Sequence, residues 1–478
     1  MENKYIDFNA EIKVTGSYDM IVAGGGPSGT AAAIAAGRLG LKTLLVESQG
    51  CLGGNGTSGA LPFWLGCMTG SKPYLQMLEE RLEYKDIRKN ARYVVKGIFY
   101  ELIERIKEEG YGVGPGKIAQ TDRLDRLGCH DEFTFDIEAG KRIHEEMVLE
   151  AGVEILYFTT ALTPRMNGKK IEGLYLVNKE GLTYVETKAV VDCTGDADIV
   201  YRAGFDTYKG DRETGLMNAV SLVIHIENVD TEAVANYLEN GGDPWFRQFI
   251  KKARKETNKD FNDMIIMFPM VQDGVFMING GTMFPMVDGT DPRDLTEVMI
   301  KGRKRAKYLL EDLFRPYIPG FKNARLRLSA SIPGVRETRR IVGEYILTEE
   351  DVLAGKKFAD TIAFSGRHFD LGRPYKRPEG TWGIRQSEIH YKTIPGNKTP
   401  VPYRSLIPKE SDNIIVAGRC ISADGQALGP LRIMATCYAT GQAAGSAAVQ
   451  VVKKGIKFSK VDIEELKTTL VNNGAIVE

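Results

Sequence analysis

The sequence predicts an α/β fold with a mainly parallel sheet. This prediction is based on two stretches of the chain. Residues 18–23 form a short apolar run, residues 24–40 a glycine-rich turn and an alanine-rich helix, and residues 42–47 a second apolar run. Strand, turn, helix and strand within about thirty residues make one parallel βαβ unit. Near the end of the chain, residues 413–452 contain another apolar strand, a loop and a long helix rich in alanine and glycine.

The turn after the first strand has the spacing of a phosphate-binding loop. Gly24, Gly26 and Gly29 occupy the three positions of G-x-G-x-x-G. The first permits a tight turn, the second lets a pyrophosphate approach the backbone, and the third lets helix and strand pack closely. Glu47 ends the second strand, where an acidic side chain can accept both hydroxyls of a ribose. The motif and its flanking elements predict binding of a dinucleotide.

A second glycine-rich loop, residues 48–62, follows directly. A nicotinamide-binding domain would continue here into a helix and a strand, whereas small residues suit the extended path of a ribityl chain and a flavin ring. The loop therefore favours FAD over NAD, and a flexible surface loop stays open as the alternative. Because no other G-x-G-x-x-G follows a strand, we expect no separate nicotinamide domain.

The middle of the chain continues the same sheet. Residues 135–152 have helical periodicity, residues 153–160 form a strand, and residues 169–188 form two short extended runs. An apolar strand that ends in Thr-Gly-Asp follows over 189–198. This order predicts an antiparallel meander attached to the parallel sheet.

Bulk composition narrows the classes of function. The chain has 478 residues, 43% of them hydrophobic, so it can bury more than one core. Its 63 basic and 63 acidic side chains give a formal net charge of +0, without the basic excess that nucleic acid or a membrane surface requires. The charged N-terminus and the lack of a long apolar run predict a cytoplasmic protein. We expect a small-molecule substrate; the electron partner and homo-oligomer formation stay open.

The cysteines predict neither disulfides nor a metal site. Cys129 and His130 are adjacent, but no further ligands can be named, so we expect no metal. The six cysteines are scattered without a C-x-x-C pair: Cys51, Cys67, Cys129, Cys193, Cys420 and Cys437.

The closing segment, residues 413–452, resembles that of the bacterial FAD-dependent oxidoreductase family related to glutathione reductase and fumarate reductase flavoproteins. Residues 333–352 and 401–409 share the resemblance, which extends over nearly the whole chain. It implies a Rossmann-like FAD-binding domain, in which a parallel sheet carries an antiparallel meander.

The domain organisation follows from this resemblance and from the order of the predicted elements. The FAD-binding domain is expected to consist of residues 1–60, 133–206 and 400–478. Residues 61–132 would form a helical insertion, and residues 207–399 an inserted α+β domain that covers the substrate.

The resemblance also implies which residues bind FAD, mostly through the main chain. The last helix would direct its N-terminus at the flavin ring and stabilise negative charge on the reduced form. The implied residues are Gly24, Gly26, Pro27, Ser28 and Gly29 at the pyrophosphate, Glu47 and Ser48 at the ribose, Gly53, Gly54 and Asn55 beside the ribityl chain, Thr160 and Ala161 at the adenine, Thr194, Gly195 and Asp196 near the adenosine and phosphates, and Gly418, Arg419, Gly429, Leu431, Arg432 and Met434 at the flavin.

Catalysis beside a flavin requires a group that binds the substrate and a group that moves a proton. Arg336, in R-E-T-R-R, is our candidate for binding an anion through its guanidinium fork. An ion-pair network with Glu337 is the alternative for these arginines. His368 and His390 are candidates for the proton, because an imidazole titrates near neutral pH, and Arg385 lies near them in sequence.

Other reactive side chains are expected to be structural. His144 lies on a predicted amphipathic helix, His225 inside a predicted strand, and Tyr403 in the setting of a core tyrosine. Cys51 has no partner a few residues away, so we do not expect a redox disulfide beside the flavin.

Taken together, these features predict an FAD-dependent oxidoreductase. It would act on a small polar metabolite by hydride transfer to or from the flavin N5. Two alternatives stay open: a non-redox flavoenzyme such as a hydratase or isomerase, and a non-catalytic subunit that holds flavin.

Overall fold

The computed structural model describes residues 9–70, 91–127, 132–211, 214–378, 380, 382–386, 389 and 392–478. Its α/β fold confirms the predicted class, because a seven-stranded sheet with a parallel centre carries an antiparallel meander. In chain order the strands are β1 (Lys13–Ala23), β2 (Thr43–Val46), β3 (Phe63–Trp64), β4 (Gly112–Val113), β5 (Phe133–Phe135), β6 (Glu154–Leu156), β7 (Thr160–Asn167), β8 (Lys170–Asn178), β9 (Gly181–Asp192), β10 (Thr207–Lys209), β11 (Val220–Ser221), β12 (Ile224–Glu227), β13 (Met267–Pro269), β14 (Phe276–Ile278), β15 (Met283–Phe284), β16 (Arg325–Ser329), β17 (Arg339–Ile341), β18 (Thr361–Ser365), β19 (Gly372–Lys376), β20 (Trp382–Gln386), β21 (Thr399–Pro402) and β22 (Ile414–Val416).

The helices lie mainly between these strands and after the last one. A π-helical segment, Leu310–Phe314, joins two of them. The α-helices are α1 (Pro27–Arg38), α2 (Ile98–Glu108), α3 (Ile137–Glu150), α4 (Asp198–Arg202), α5 (Thr231–Glu239), α6 (Arg247–Thr257), α7 (Pro292–Leu309), α8 (Arg315–Tyr317), α9 (Glu349–Leu353), α10 (Leu428–Leu431), α11 (Met434–Lys454) and α12 (Ile463–Asn472), and the 3₁₀ turns are Gly54–Gly56, Asp122–Leu127, Pro395–Asn397, Tyr403–Leu406 and Phe458–Lys460.

The large sheet draws its strands from distant parts of the chain. Its order is β6-β2-β1-β9-β8-β7, and β22 adds to β9 in parallel. The first half of β9 pairs with β8 in the meander, and its last residues, 190–192, pair with β22. The carboxyl ends of β1, β2, β9 and β22 therefore meet at one edge of the sheet.

Two glycines of the first turn permit a close contact between strand and helix. Gly24 has φ +98°, which L side chains rarely adopt. A Cβ on Gly29 would lie 1.7 Å from the carbonyl oxygen of Gly24. The turn can close only with glycine at both positions.

The alanine and glycine content of α1 and α11 is explained by their packing against each other. A Cβ on Gly441 would lie 2.0 Å from the carbonyl oxygen of Ser28, and a Cβ on Gly445 would lie 2.2 Å from that of Ala32. The helix backbones thus touch directly, which small residues at the interface allow.

A second, antiparallel sheet has the order β13-β14-β12-β16. Successive residues of a strand point to opposite faces, so Phe276 of β14 belongs to a core shared with α5, α6 and α7, whereas Met277 belongs to a separate cluster with Phe268. Extended runs broken by Gly, Pro and Asp over residues 260–287 predict a sheet. This sheet is present, and its two faces pack against different partners.

Predicted helices have mixed outcomes. The Asp and Pro cap signal and the helical period that follows it predict a helix that runs to Phe314. The helix begins after the capping residue Asp291 and continues as α7 and the π-helical segment. The amphipathic pattern predicts two helices, over 74–86 and 97–110. The second is α2, and the first lies outside the described residues. In the described part of the chain, no helix has the length and apolar character needed to cross a membrane.

Candidate active site

A cavity of about 740 Å³ opens at the carboxyl ends of the parallel strands. Gly24 follows β1, Glu47 follows β2, Cys193 follows β9 and Gly418 lies just after β22, and all four line the cavity. Ligands bind at this edge of open α/β sheets, because loops and helix N-termini converge there. The second sheet contributes Phe268 and other residues to the far wall.

The loop after β1 presents main chain to the cavity. A Cβ on Gly26 would have no neighbouring atom within 4 Å, so the space beside this residue is open. The helix α1 begins directly after Gly26 without a side-chain cap. Its first N–H groups are therefore available to an anion, and the helix dipole favours negative charge there.

Glu47 is held rigidly at the same edge. Its Oε2 accepts a hydrogen bond from Gly25 N at 2.6 Å, and its Oε1 accepts one from Gln49 N at 2.7 Å. A carboxylate oxygen can accept more than one hydrogen bond. Glu47 can therefore bind hydroxyl groups of a ligand while these two contacts fix its position.

The loop after β9 depends on a buried carboxylate that the sequence analysis missed. Asp192 Oδ2 accepts from Ile199 N at 2.9 Å and from Val200 N at 3.1 Å, and its Oδ1 accepts from Thr194 Oγ1 at 2.7 Å. Burial raises the pKa of the Asp192 carboxyl. An aspartate that ends an otherwise apolar strand was the available signal.

An ion pair joins this loop to two other segments. Arg419 donates to Asp196 Oδ1 at 2.6 Å and to the Val335 carbonyl at 3.2 Å, and Thr338 Oγ1 donates to the same Asp196 oxygen at 2.5 Å. The contacts bring the segment 335–338 against the loops of the large sheet.

A second helix N-terminus reaches the cavity. The helix α11 begins after Ile433 without a side-chain cap, and Ile433, Met434 and Cys437 line the cavity. Two positive helix ends, those of α1 and α11, therefore face one cavity.

Most residues predicted to bind FAD line this cavity. Four do not: Gly29 packs on Gly24, Gly53 N donates to the Gly25 carbonyl at 2.9 Å, and Gly429 and Leu431 are buried in α10. The lining residues of the predicted set are Gly24, Gly26, Pro27, Ser28, Glu47, Ser48, Gly54, Asn55, Thr160, Ala161, Thr194, Gly195, Asp196, Gly418, Arg419, Arg432 and Met434.

Arginines gather at one end of the cavity. Arg336 donates to the Ala219 carbonyl at 2.6 Å and to Asn279 Oδ1 at 3.2 Å, so neither hydrogen bond goes to a carboxylate. Burial, together with the charge of Arg432, lowers the pKa of Arg336 to about 10, which Asp370 partly opposes. A guanidinium in this setting gains from the binding of an anion.

Arg432 and Arg367 complete this cationic end. Arg432 donates to the Asp370 carbonyl at 2.7 Å, and Arg367 pairs with the Asp370 carboxylate at 3.2 Å. Burial lowers the pKa of Arg432. A role for Arg367, Asp370 or Asn279 could not be predicted from the sequence, because their approach to Arg336 depends on segments far apart in the chain.

The arginines of the R-E-T-R-R motif have two kinds of environment: one lines the cavity, and the other two form ion pairs. Arg336 lines the cavity, whereas Arg339 pairs with Asp198 at 2.8 Å, and Arg340 pairs with Glu337 inside the protein. One arginine is thus available to a ligand, and two belong to structural ion pairs.

The remaining catalytic candidates have different settings. His368 is buried and lines the cavity. Arg385 also lines it but is exposed, on β20, with its guanidinium 5.3 Å from the ring centroid of Tyr375. His390 lies outside the described residues.

The residues expected to be structural have enclosed positions. Burial lowers the pKa of His144 and of His225 to about 4. Tyr403 is buried, its hydroxyl donates to the Phe458 carbonyl at 3.0 Å, and burial raises its pKa well above the ordinary value. Cys51 lines the cavity, and its Sγ lies 3.1 Å from Ser58 Oγ.

Metal binding was not expected from the sequence. Cys129 and His130 lie outside the described residues. Within the described ranges, no group of three or more His, Cys, Asp or Glu side chains is arranged to hold a metal ion.

A glycine-lined cavity at the carboxyl edge of this sheet defines a dinucleotide-binding α/β enzyme. The family model of FAD dependent oxidoreductases matches residues 19–470. The chain therefore belongs to this family and is an FAD-dependent oxidoreductase.

Similar individual proteins match over shorter stretches or at low identity. The mitochondrial dihydrolipoyl dehydrogenase of Schizosaccharomyces pombe is 51% identical over 47 residues, which are 10% of this chain and 9% of that protein. The dihydrolipoyl dehydrogenase of Trypanosoma brucei brucei is 62% identical over 37 residues, 8% of each chain. The chain thus matches less than a tenth of the length of these relatives.

Two solved structures cover most of the chain. A geranylgeranyl bacteriochlorophyll reductase-like protein from Thermoplasma acidophilum has 14% identity and a TM-score of 0.42, over 96% of this chain and 84% of that chain. The p-nitrophenol 4-monooxygenase of Pseudomonas putida has 12% identity and a TM-score of 0.44, over 96% and 85%.

The cavity fits FAD by its own geometry. The open space beside Gly26 and the uncapped N-terminus of α1 suit a pyrophosphate, the fixed carboxylate of Glu47 suits a ribose, and the N-terminus of α11 suits the electron-rich end of a flavin. These features face one continuous cavity.

Proposed function

We propose that this oxidoreductase exchanges a hydride between the flavin N5 and a small metabolite whose polar group is anionic. One observation supports it above the others: Arg336, half-buried and without a carboxylate partner among the described residues, lines the same cavity as the glycine loop. Bound FAD supplies a two-electron acceptor or donor at N5.

The residues that would hold FAD follow from the lining of the cavity. Gly24, Gly26 and Ser28 would contact the pyrophosphate, Glu47 the ribose, and Gly54 the ribityl chain. Thr160 and Ala161 would contact the adenine, while Thr194, Gly195, Asp196, Arg419 and Met434 would complete the site. Most of these contacts would be made by main-chain groups.

Arg336 would bind and orient the substrate. Its guanidinium is held by two acceptors and keeps further N–H groups for a carboxylate, which accepts two parallel hydrogen bonds from such a fork. Arg432 raises the positive potential of this end of the cavity. Such a fixed ion contact would keep the reacting C–H bond in one position.

His368 would move the proton. In the oxidative direction, bound FAD would supply the acceptor for the hydride of the substrate's C–H bond, and the imidazole of His368 would take the proton released from the substrate's hydroxyl or amine. His368 lines the cavity beside Arg367, so it can reach a substrate bound at the arginines. His390 is a second candidate outside the described residues.

The family relationship, the localisation and the type of partner are further parts of the same proposal. The closing segment supports kinship with glutathione reductase and fumarate reductase flavoproteins. The formal net charge of +0 supports a small-molecule partner rather than nucleic acid or a membrane. A cytoplasmic protein is part of the same proposal, supported by the lack of a long apolar run in the sequence.

An anaerobic titration tests the proposed reaction. Candidate hydroxy acids, amino acids and enoates are added to the FAD-loaded protein or its dithionite-reduced form. A substrate is expected to bleach or restore the oxidised flavin band in the wild type. Arg336→Ala is expected to lower kcat/KM by about 100-fold or more, since a buried charged contact is lost.

Two further variants complete this test. His368→Ala is expected to slow the reduction and change its pH profile. Arg165→Ala is the control, because Arg165 is exposed and pairs with Glu172 on the meander. A protein that binds FAD but is never reduced or reoxidised by any substrate would favour the non-redox alternative.

A further inference from the structure

The part of the cavity beyond the glycine-lined loops has an apolar wall. Three of its side chains belong to one buried cluster, and the other three pack against that cluster. The rings of Phe63 and Phe268 lie 4.0 Å apart between centroids. This continuous surface, the apolar wall, consists of Leu61, Phe63, Leu65, Val223, Ile266 and Phe268.

The imidazole of His225, behind the apolar wall, already has a hydrogen-bond partner within the protein. His225 Nε2 donates to the Ala60 carbonyl at 2.8 Å, and burial lowers the pKa of the ring to about 4. The ring is therefore neutral at physiological pH and has no charge to offer a ligand. A ligand against this wall gains free energy mainly by removing apolar surface from water.

The cationic end of the cavity adjoins the apolar wall. Arg336 donates to the Ala219 carbonyl and to Asn279 Oδ1, and Ser221 Oγ lies 3.1 Å from the same Asn279 oxygen. Residues 219–223 thus lead from the guanidinium to Val223 in the wall. Four extended residues span at most about 14 Å, and Arg336 and Val223 line the same cavity.

Two other arginines that line the cavity, Arg126 and Arg385, have their own contacts. Arg126 donates to the Leu238 carbonyl at 2.7 Å, and Arg385 is exposed on its hairpin beside Tyr375. The half-buried Arg336 and Arg432 lie together at one end. The enclosed part of the cavity therefore pairs one cationic end with one apolar surface.

Resting on the proposed function, we infer that the substrate is an amphipathic monocarboxylic acid. Its carboxylate binds Arg336, and its aromatic or branched aliphatic body packs against the apolar wall. The proposed function names a small metabolite with an anionic group as the substrate. This inference restricts that class of substrate to molecules with a single charged end and an apolar body.

Binding of acids to the FAD-loaded protein, followed through the oxidised flavin band, tests this without turnover. The probes are 3-phenylpropionate, its amide and succinate. We expect 3-phenylpropionate to bind at least about tenfold more tightly than either of the others, because only it satisfies both the cation and the apolar wall. Equal affinity for acid and amide, or the tightest binding by succinate, overturns the inference.

A pair of substitutions to threonine locates the contact. Val223→Thr places a hydroxyl in the apolar wall at nearly constant volume, and we expect it to weaken 3-phenylpropionate about tenfold while acetate binding is unchanged. Leu328→Thr is the control, because Leu328 packs against the same cluster without lining the cavity. Equal loss in both variants, or no loss with Val223→Thr, contradicts the inference.

The proposed function and this inference fail in different ways. If the acid binds as expected but no substrate reduces the flavin, hydride transfer is wrong and the inference stands. If a hydrophilic substrate reduces the flavin and Val223→Thr has no effect on it, the inference is wrong and hydride transfer stands.

Discussion

The two halves of the cavity differ in what they present to a ligand. The half at the carboxyl ends of β1 and β2 presents main chain, with Gly24, Gly26 and Gly54 in its lining. The half below the second sheet presents side chains, among them Arg336 and Phe268. A main-chain surface depends on where glycine permits close approach, whereas a side-chain surface depends on which distant residues fold together.

The two halves are also stabilised differently. The glycine loop is stabilised by direct backbone contact between Gly29 and Gly24. The segment that carries Arg336 is stabilised by charge, because the buried Glu337 pairs with Arg340 and with Arg373. Substitutions that remove each feature separately test this contrast.

The largest effect is expected from Gly29→Ala. The new Cβ would lie 1.7 Å from the Gly24 carbonyl oxygen, so the turn would have to open. We expect the free energy of unfolding to fall by more than about 4 kcal/mol and the purified protein to lack FAD. Urea denaturation and the flavin content measure both effects. Gly168→Ala, in a hairpin turn with open space around it, is the control and should cost about 1 kcal/mol.

Glu337→Gln should have the next largest effect on the free energy of unfolding. This substitution lies in the half of the cavity that contains Arg336. Glu337 accepts hydrogen bonds from Asn218 N at 2.9 Å and Arg373 at 2.7 Å, and it pairs with the buried Arg340. Its loss leaves buried guanidinium groups without a counter-charge, for which we expect about 3–5 kcal/mol of destabilisation in urea denaturation.

The folded fraction of Glu337→Gln should still bind FAD normally, because the glycine loop is unchanged. The matched control is Glu172→Gln, which breaks an exposed pair with Arg165 and should cost less than about 1 kcal/mol. Loss of FAD from folded Glu337→Gln protein would show that the two halves are not independent.

Gly26→Ala separates FAD binding from folding in the glycine loop. The added Cβ meets no protein atom within 4 Å and projects into open space beside the first turn of α1. We expect the stability of the FAD-free protein to be nearly unchanged and the affinity for FAD to fall about 100-fold, or about 2.8 kcal/mol. Fluorescence titration of the FAD-free protein measures the affinity. Unchanged affinity would place the cofactor elsewhere.

The smallest effect is expected when the pH is lowered, which should reduce the stability of both halves of the cavity. Burial lowers the pKa of His144, near Gly53, and of His225, behind the apolar wall, to about 4 from 6.5. Because the folded-state pKa is depressed, each ring's contribution to stability is full above pH 6.5 and declines as pH falls toward 4. Between about pH 7.5 and about pH 5 each ring should account for about 1–2 kcal/mol of lost stability.

His225→Gln isolates one of these rings. A glutamine amide can still donate to the Ala60 carbonyl, which His225 contacts at 2.8 Å. Urea denaturation at the two pH values should show a smaller acid-induced loss than in the wild type, by about 1–2 kcal/mol. An identical loss in both proteins would mean that this imidazole does not titrate between them.

Local patterns were sufficient for the glycine-lined half of the site. The spacing of Gly24, Gly26 and Gly29 predicted the turn, and the position of Glu47 after an apolar strand predicted the acceptor at its edge. The alanine and glycine content of residues 413–452 predicted a long helix. The structure shows at Gly441 that this helix, α11, packs closely against α1, more than 400 residues away.

The side-chain half could be predicted only in part. R-E-T-R-R indicated an anion site or an ion-pair network. The ion pair between Arg340 and Glu337 is present, whereas Arg336 lines the cavity and the anion site stays a prediction. The helix predicted over 74–86 and the candidate His390 lie outside the described residues and stay predictions.

The sequence by itself determined the α/β class, the glycine-rich turn after the first strand and the family of this chain, because glycine spacing and strand and helix periodicity are local properties of neighbouring residues. Only the tertiary structure decided that Arg336 rather than Arg340 faces the cavity, and that Val223 and Phe268 meet in one wall. Such contacts depend on charges and apolar surfaces contributed by distant segments. Their partners become known only when the chain is folded.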